Sequence, residues 1–137
     1  MQTIQQQRAA YALERIKQLT GSLDKEGKKS LKAYASGLPA MIHMNGLGQA
    51  LAFTRAKGAD SNASASAHEA LYSLVSDWLC REGQPYAGQQ DVMEGITRCD
   101  QATYIQAQAE TQALMNWVKK FAKAYLADVD AVANEGA

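Results

Sequence analysis

Two histidines, two cysteines and fourteen carboxylates are the groups in this 137-residue chain that could make or break bonds. His43 could act as a general base, but it lies inside an apolar stretch with no nucleophile motif beside it. His68 has no second histidine at metal-ligand spacing and reads as a surface residue at the start of a helix. Cys80 and Cys99 belong to no CxxC or CxxH pair, which reads as two buried, reduced thiols. The pair Asp128 and Asp130 falls at a helix end or in the tail. HExxH, HxxxH, GxSxG, GxGxxG and GxxxxGK[ST] are all absent. The expectation is a chain without a catalytic site, a metal or a cofactor.

The chemistry that the spacing does support is contact with a polyanion. Fourteen basic side chains balance fourteen acids, so the chain is neutral overall. The distribution is uneven, however. Residues 1–57 carry nine bases and three acids, +6, and residues 58–137 carry −6. The nine are Arg8, Arg15, Lys17, Lys25, Lys28, Lys29, Lys32, Arg55 and Lys57, and they are the candidate RNA-binding residues. Lys25, Lys28, Lys29 and Lys32 follow i, i+3, i+4, i+7 and form one basic helix face with no acid on it. Arg8 and Arg15 flank Tyr11 on a helix stripe that could follow a phosphate backbone and offer a ring for stacking. A plain solvated surface explains the same lysines, and a fold that interleaves the two halves would cancel the asymmetry.

Helices must position these residues. Two prolines in 137 residues, with much Ala, Leu, Gln and Lys, favour an all-α domain, and the length suits one domain with its own core. The pattern predicts about six helices in a compact bundle spanning residues 1–137, with residues 1–2 and 130–137 frayed and 59–65 a mobile loop. The first helix covers residues 3–19, with Ala9, Ala12, Leu13, Ile16 and Leu19 inward. The second, capped by Asp24, runs to Ala35. The third, residues 38–58, begins with Pro39 in its first turn and is apolar on two faces, so it should cross the middle of the bundle. Gly46 and Gly48 inside it cost about 1 kcal/mol each relative to alanine, which close helix packing would offset, with Asn45 bonded in the core. Gly58 is placed to take a left-handed cap. A capping box at Ser66 and Glu69 opens the fourth helix, which places Leu71, Tyr72, Leu74, Val75, Trp78 and Leu79 at core spacing. A short helix over 90–97 follows, then a last one from the Asp100 cap to Asp128 or beyond, carrying a smaller basic cluster of Lys119, Lys120 and Lys123.

No apolar run is long enough to span a membrane, and MQTIQQQR does not resemble a signal peptide, so the expected location is the cytoplasm.

The stretch LPAMIHMNGLGQALAFTRAKG resembles the central signature of the small subunit of the type III-B CRISPR effector, the Cmr complex. The shared features are Leu-Pro, an apolar turn, Asn-Gly-Leu, and a small-residue run ending in Leu-Ala-Phe and a basic pair. The segment from Gln6 to Glu14 is similar to that family's first helix, and WVKKFAKAY to its last. The resemblance implies a non-catalytic subunit of an RNA-guided, RNA-targeting complex. Its partners would be the other Cmr subunits, further copies of itself, and the guide and target RNA. The other reading that fits the residues is a helical protein–protein adaptor whose lysines only solubilise it.

Overall fold

In the computed structural model, residues 1–62 and 64–126 are described. They form α1 (Ile4–Ser22), α2 (Lys25–Gly58), α3 (Ala65–Leu79), α4 (Val92–Arg98) and α5 (Gln101–Tyr125), with no strand among them. The all-α expectation holds, with five helices in place of six. The difference lies in α2, which runs without a break through Gly37 and Pro39, where a boundary was expected. A proline inside a helix costs about 3 kcal/mol. Here the buried stripe Gly27, Leu31, Ala35, Leu38 and Ile42 passes Pro39 without interruption. That burial holds the segment helical where local preference would end it.

The real discontinuity is Gly46, at φ 85° and ψ 159°. Such angles are essentially restricted to glycine. The residue divides α2 into two arms and turns the chain sharply. Tyr34, Leu38 and Met41 of the first arm and Phe53 and Thr54 of the second therefore line one small cavity with His68 of α3. The second arm starts like a new helix, with N–H groups that have no partner in their own helix. Side chains of α5 satisfy them. Gln108 Oε1 accepts from Leu47 N at 2.9 Å, and the Tyr104 hydroxyl accepts from Gly48 N at 2.9 Å. Gly46 is thus needed for its backbone angles, and Asn45 is exposed, not bonded in the core. The segment 38–58 is not enclosed on two faces either. Met44 is 80% and Phe53 45% exposed.

Other ends are set by recognisable caps. Thr3 and Gln6 form a capping box on α1, Asp24 accepts from Gly27 N, and Asp100 accepts from Thr103 N. The box expected at Ser66 does not form. α3 begins two residues earlier, after Ser64, which makes no side-chain cap. Gly58 is not left-handed. A Cβ there would come within 3.0 Å of the Glu69 backbone, so the glycine allows α2 to meet α3. Asp91 ties α4 to α3. It accepts from Met93 N and from the hydroxyls of Tyr72 and Ser76. Tyr86 of the α3–α4 connection is fully buried, and its ring fills the space that a side chain at Gly95 would take.

The core unites all five helices around Ile16, Leu31, Ile42, Leu51, Leu71, Trp78, Leu114 and Val118. Every core position expected in α3 is buried. In α5, Tyr125 is half exposed, and the predicted extension to Asp128 lies outside the described residues. So do the tail 130–137, Asp130 and, in the loop, Ala63.

Candidate nucleic-acid interface

The nine basic residues do not form one surface. Arg8 is withdrawn from it. Its guanidinium makes two hydrogen bonds to the Glu110 carboxylate, with both side chains largely buried between α1 and α5. Arg15 pairs with Asp77 of α3 at 2.8 Å and stays partly exposed. Each pair joins a base of the positive half to an acid of the negative half, so the fold cancels part of the sequence asymmetry internally. Tyr11, between the two arginines, offers no ring to a base. It is 7% exposed, packs on Trp78, and donates to the Leu74 carbonyl at 2.6 Å. Burial pushes its hydroxyl pKa up to about 12. The stripe on α1 is thus a packing seam.

Lys17 is exposed and lies 5.7 Å over the Tyr125 ring. Arg55 lies over Tyr72 and Lys57 over Phe53. These two belong to the second arm of α2, beyond the turn at Gly46.

Lys25, Lys28, Lys29 and Lys32 do share an edge. At about 100° per residue they occupy one arc beside the buried stripe of the first arm. Lys25 and Lys29 are exposed; Lys28 and Lys32 are half-buried at the border of the core. Among the described residues Lys28, Lys29 and Lys32 make no ion pair.

Two lysines outside the nine fall at the same level of the bundle. Gln108 meets Leu47, and Gln112 donates to the Pro39 carbonyl at 2.9 Å. Helix α5 therefore runs antiparallel to the first arm. Lys119 and Lys123 continue the stripe of Gln108 and Gln112. They come level with Lys32 and Lys28, seven to eleven residues, or about 10–16 Å, farther along. The only sequence signal was their own cluster, and nothing in it connected them to residues ninety positions away.

The two histidines differ in environment. His43 is exposed. His68 is buried, contrary to expectation, with its ring 3.6 Å from that of Tyr34 and Nδ1 3.1 Å from the Ser64 carbonyl. Burial lowers its pKa, and the nearby Lys57 acts in the same direction, against the opposing Ser64 contact. Cys80 and Cys99 are free and half-buried, less covered than expected, and burial raises the Cys80 thiol. No three metal-ligating side chains cluster among the described residues. No helix there is long and apolar enough to cross a membrane.

Fold and edge together define a small all-α bundle that presents lysines along one helix–helix border. The chain belongs to the CRISPR-associated protein family Cas_Cmr5, whose model matches residues 4–125. It is also similar to the CRISPR system Cmr subunit Cmr5 of Thermus thermophilus. The two are 27% identical over 126 residues, which cover 92% of this chain and 98% of the relative.

Proposed function

We propose that this chain is a non-catalytic structural subunit of an RNA-guided, RNA-targeting CRISPR effector complex of type III-B, working in the cytoplasm. In this reading it contacts the guide–target RNA backbone through the lysine edge of α2 and α5. Family membership supports the place in the complex. The observation that carries the RNA contact is the one-sided row Lys25, Lys28, Lys29 and Lys32, continued by Lys119 and Lys123. Such a row binds phosphates by charge, independently of sequence. Sequence reading is left to base pairing, as in RNA-guided effectors that recognise the heteroduplex by shape and backbone. A neutral subunit with few contacts binds RNA weakly alone. Several copies stacked in register bind tightly through avidity.

The internal pairing of Arg8 and Arg15 favours a second reading, a helical adaptor without direct RNA contact. Filter-binding titrations of the assembled complex at several salt concentrations separate the two. Changing Lys25, Lys28, Lys29 and Lys32 to alanine weakens target-RNA capture equally for any guide. It also lowers the slope of log K against log salt by about 0.7–0.9 per lost contact, about 3 in all. Unchanged affinity and slope, with the mutant subunit still incorporated, would leave the adaptor reading.

A further inference from the structure

The chain leaves α5 at a place of high positive charge. Gln112 meets Pro39 across the antiparallel seam of α2 and α5. Fourteen residues farther along, about 21 Å, Leu126 comes level with Lys25. Helix α5 packs on α1 as well as on α2. On the α1 side, the Lys17 ammonium lies 5.7 Å over the Tyr125 ring. Leu126 is thus approached by lysines from both neighbouring helices.

Residues 127–137 lie outside the described ones. Their sequence, ADVDAVANEGA, carries Asp128, Asp130 and Glu135 and no base. These three acids make up half of the −6 of residues 58–137. A segment with charge of one sign is suited to act as an interaction arm.

Reach and charge both direct this segment to the lysine edge. From Lys25 to Lys32 is about 10 Å along the helix. Eleven extended residues span up to about 36 Å. Asp128 follows Leu126 by two residues, so it comes to the level of Lys25 with almost no loop to close. Lys28, Lys29 and Lys32 make no ion pair among the described residues, whereas Arg8 and Arg15 are already held by acids of α5 and α3. The acids on the neighbouring turns, Glu14, Asp24 and Glu26, are outnumbered by Lys17, Lys25, Lys28, Lys29, Lys32 and Lys123. Like charges three and four residues apart on α2 repel, and a carboxylate between them relieves that repulsion. Each exposed pair is weak and sensitive to salt, but three on one tether act together.

We infer that segment 127–137 docks on the lysine edge of its own chain through Asp128, Asp130 and Glu135, and competes there with RNA phosphates. The competition rests on the RNA contact proposed above; the docking does not. An edge covered nine-tenths of the time binds a phosphate strand about tenfold more weakly. A single subunit then holds RNA poorly, while several edges in register on one duplex displace their segments together.

The test compares three chains labelled with ¹⁵N: the parent, a chain ending at Leu126, and the full-length variant Asp128→Asn, Asp130→Asn, Glu135→Gln. At about 20 mM salt the backbone amide signals of Lys28, Lys29 and Lys32 in the parent should differ from those in both variants. The difference should vanish by about 0.5 M salt, where charges are screened within about 4 Å. A uridine dodecanucleotide should bind both variants about tenfold more tightly than the parent at low salt. The slope of log K against log salt should steepen by about 2, at about 0.7 per freed lysine. Identical α2 amide signals in all three chains would overturn the proposal, as would a difference that the uncharged full-length variant retains. Shifted amides with equal oligonucleotide affinity in all three would overturn the competition. Shifted amides with no oligonucleotide binding by any of the three would support the docking and place the failure in the RNA contact.

Discussion

Gly46→Ala measures how much the fold depends on the break in α2. The residue sits at φ 85° and ψ 159°, a region in which a side chain costs roughly 1–3 kcal/mol. A Cβ would also stand 3.0 Å from the Tyr104 hydroxyl. If that ring shifts, Gly48 N–H loses its acceptor, a further cost of about 1 kcal/mol. The total is roughly 2–4 kcal/mol, a large share of the 5–15 kcal/mol typical of a domain. With an unfolding entropy of about 2.1 cal/mol/K per residue, 1 kcal/mol shifts the melting temperature of a chain this long by about 3–4 °C. The variant should therefore melt about 7–14 °C below the parent, followed by circular dichroism at 222 nm. Gly46→Val should fare worse, because a branched side chain must fit the same gap. The control is Gly48→Ala. Gly48 is helical, and a Cβ there meets Ile96 at an ordinary 3.4 Å, so the change should be nearly neutral. If Gly46→Ala melts within about 2 °C of the parent, the left-handed break and its capping by α5 do not hold the arms in place.

Three other outcomes test separate parts of the structure. His68→Phe keeps the ring contact with Tyr34 and removes a titrating group. The folded-state pKa of His68 lies below the ordinary value near 6.5, because burial disfavours its charged form. Below that value the unfolded chain takes up a proton that the folded chain resists. Parent stability should hold above about pH 6.5 and fall on acidification, and the fall should be smaller in the variant; parallel curves in urea melts from pH 5 to 8 would contradict this. Gly95→Ala drives a Cβ into the buried Tyr86 ring and should destabilise by roughly 1–3 kcal/mol through overpacking. In that background Tyr86→Leu should recover part of the loss, as judged by denaturant midpoints. Finally, a double-mutant cycle of Arg8→Met and Glu110→Gln should give a coupling of about 1–3 kcal/mol, because the pair is largely withdrawn from water. A coupling near zero would return Arg8 to the set of available surface cations.

Much of this protein was legible in its sequence because the relevant rules are local. Helical composition, the core spacing of α3, the caps at Asp24 and Asp100, and the i, i+3, i+4, i+7 row of lysines depend on residues within a turn or two of one another. The motif around Asn45-Gly46-Leu47 carried the family resemblance, and the match over residues 4–125 bears it out. What the sequence could not decide was every question that crosses between helices. Pro39 should end a helix by its own chemistry, yet the buried stripe on both sides of it keeps α2 whole. Gly46 reads as a packing glycine until Tyr104 and Gln108, some sixty positions away, are seen capping the arm that starts there. Arg8 and Arg15 share a stripe with Tyr11 that looks suited to RNA, but Glu110 and Asp77 arrive from other helices and take them. The same antiparallel packing brings Lys119 and Lys123 level with Lys32 and Lys28. Side-chain periodicity fixes which residues share a face; only the pairing of faces, through burial and long-range hydrogen bonds, determines which charges stay available to a partner.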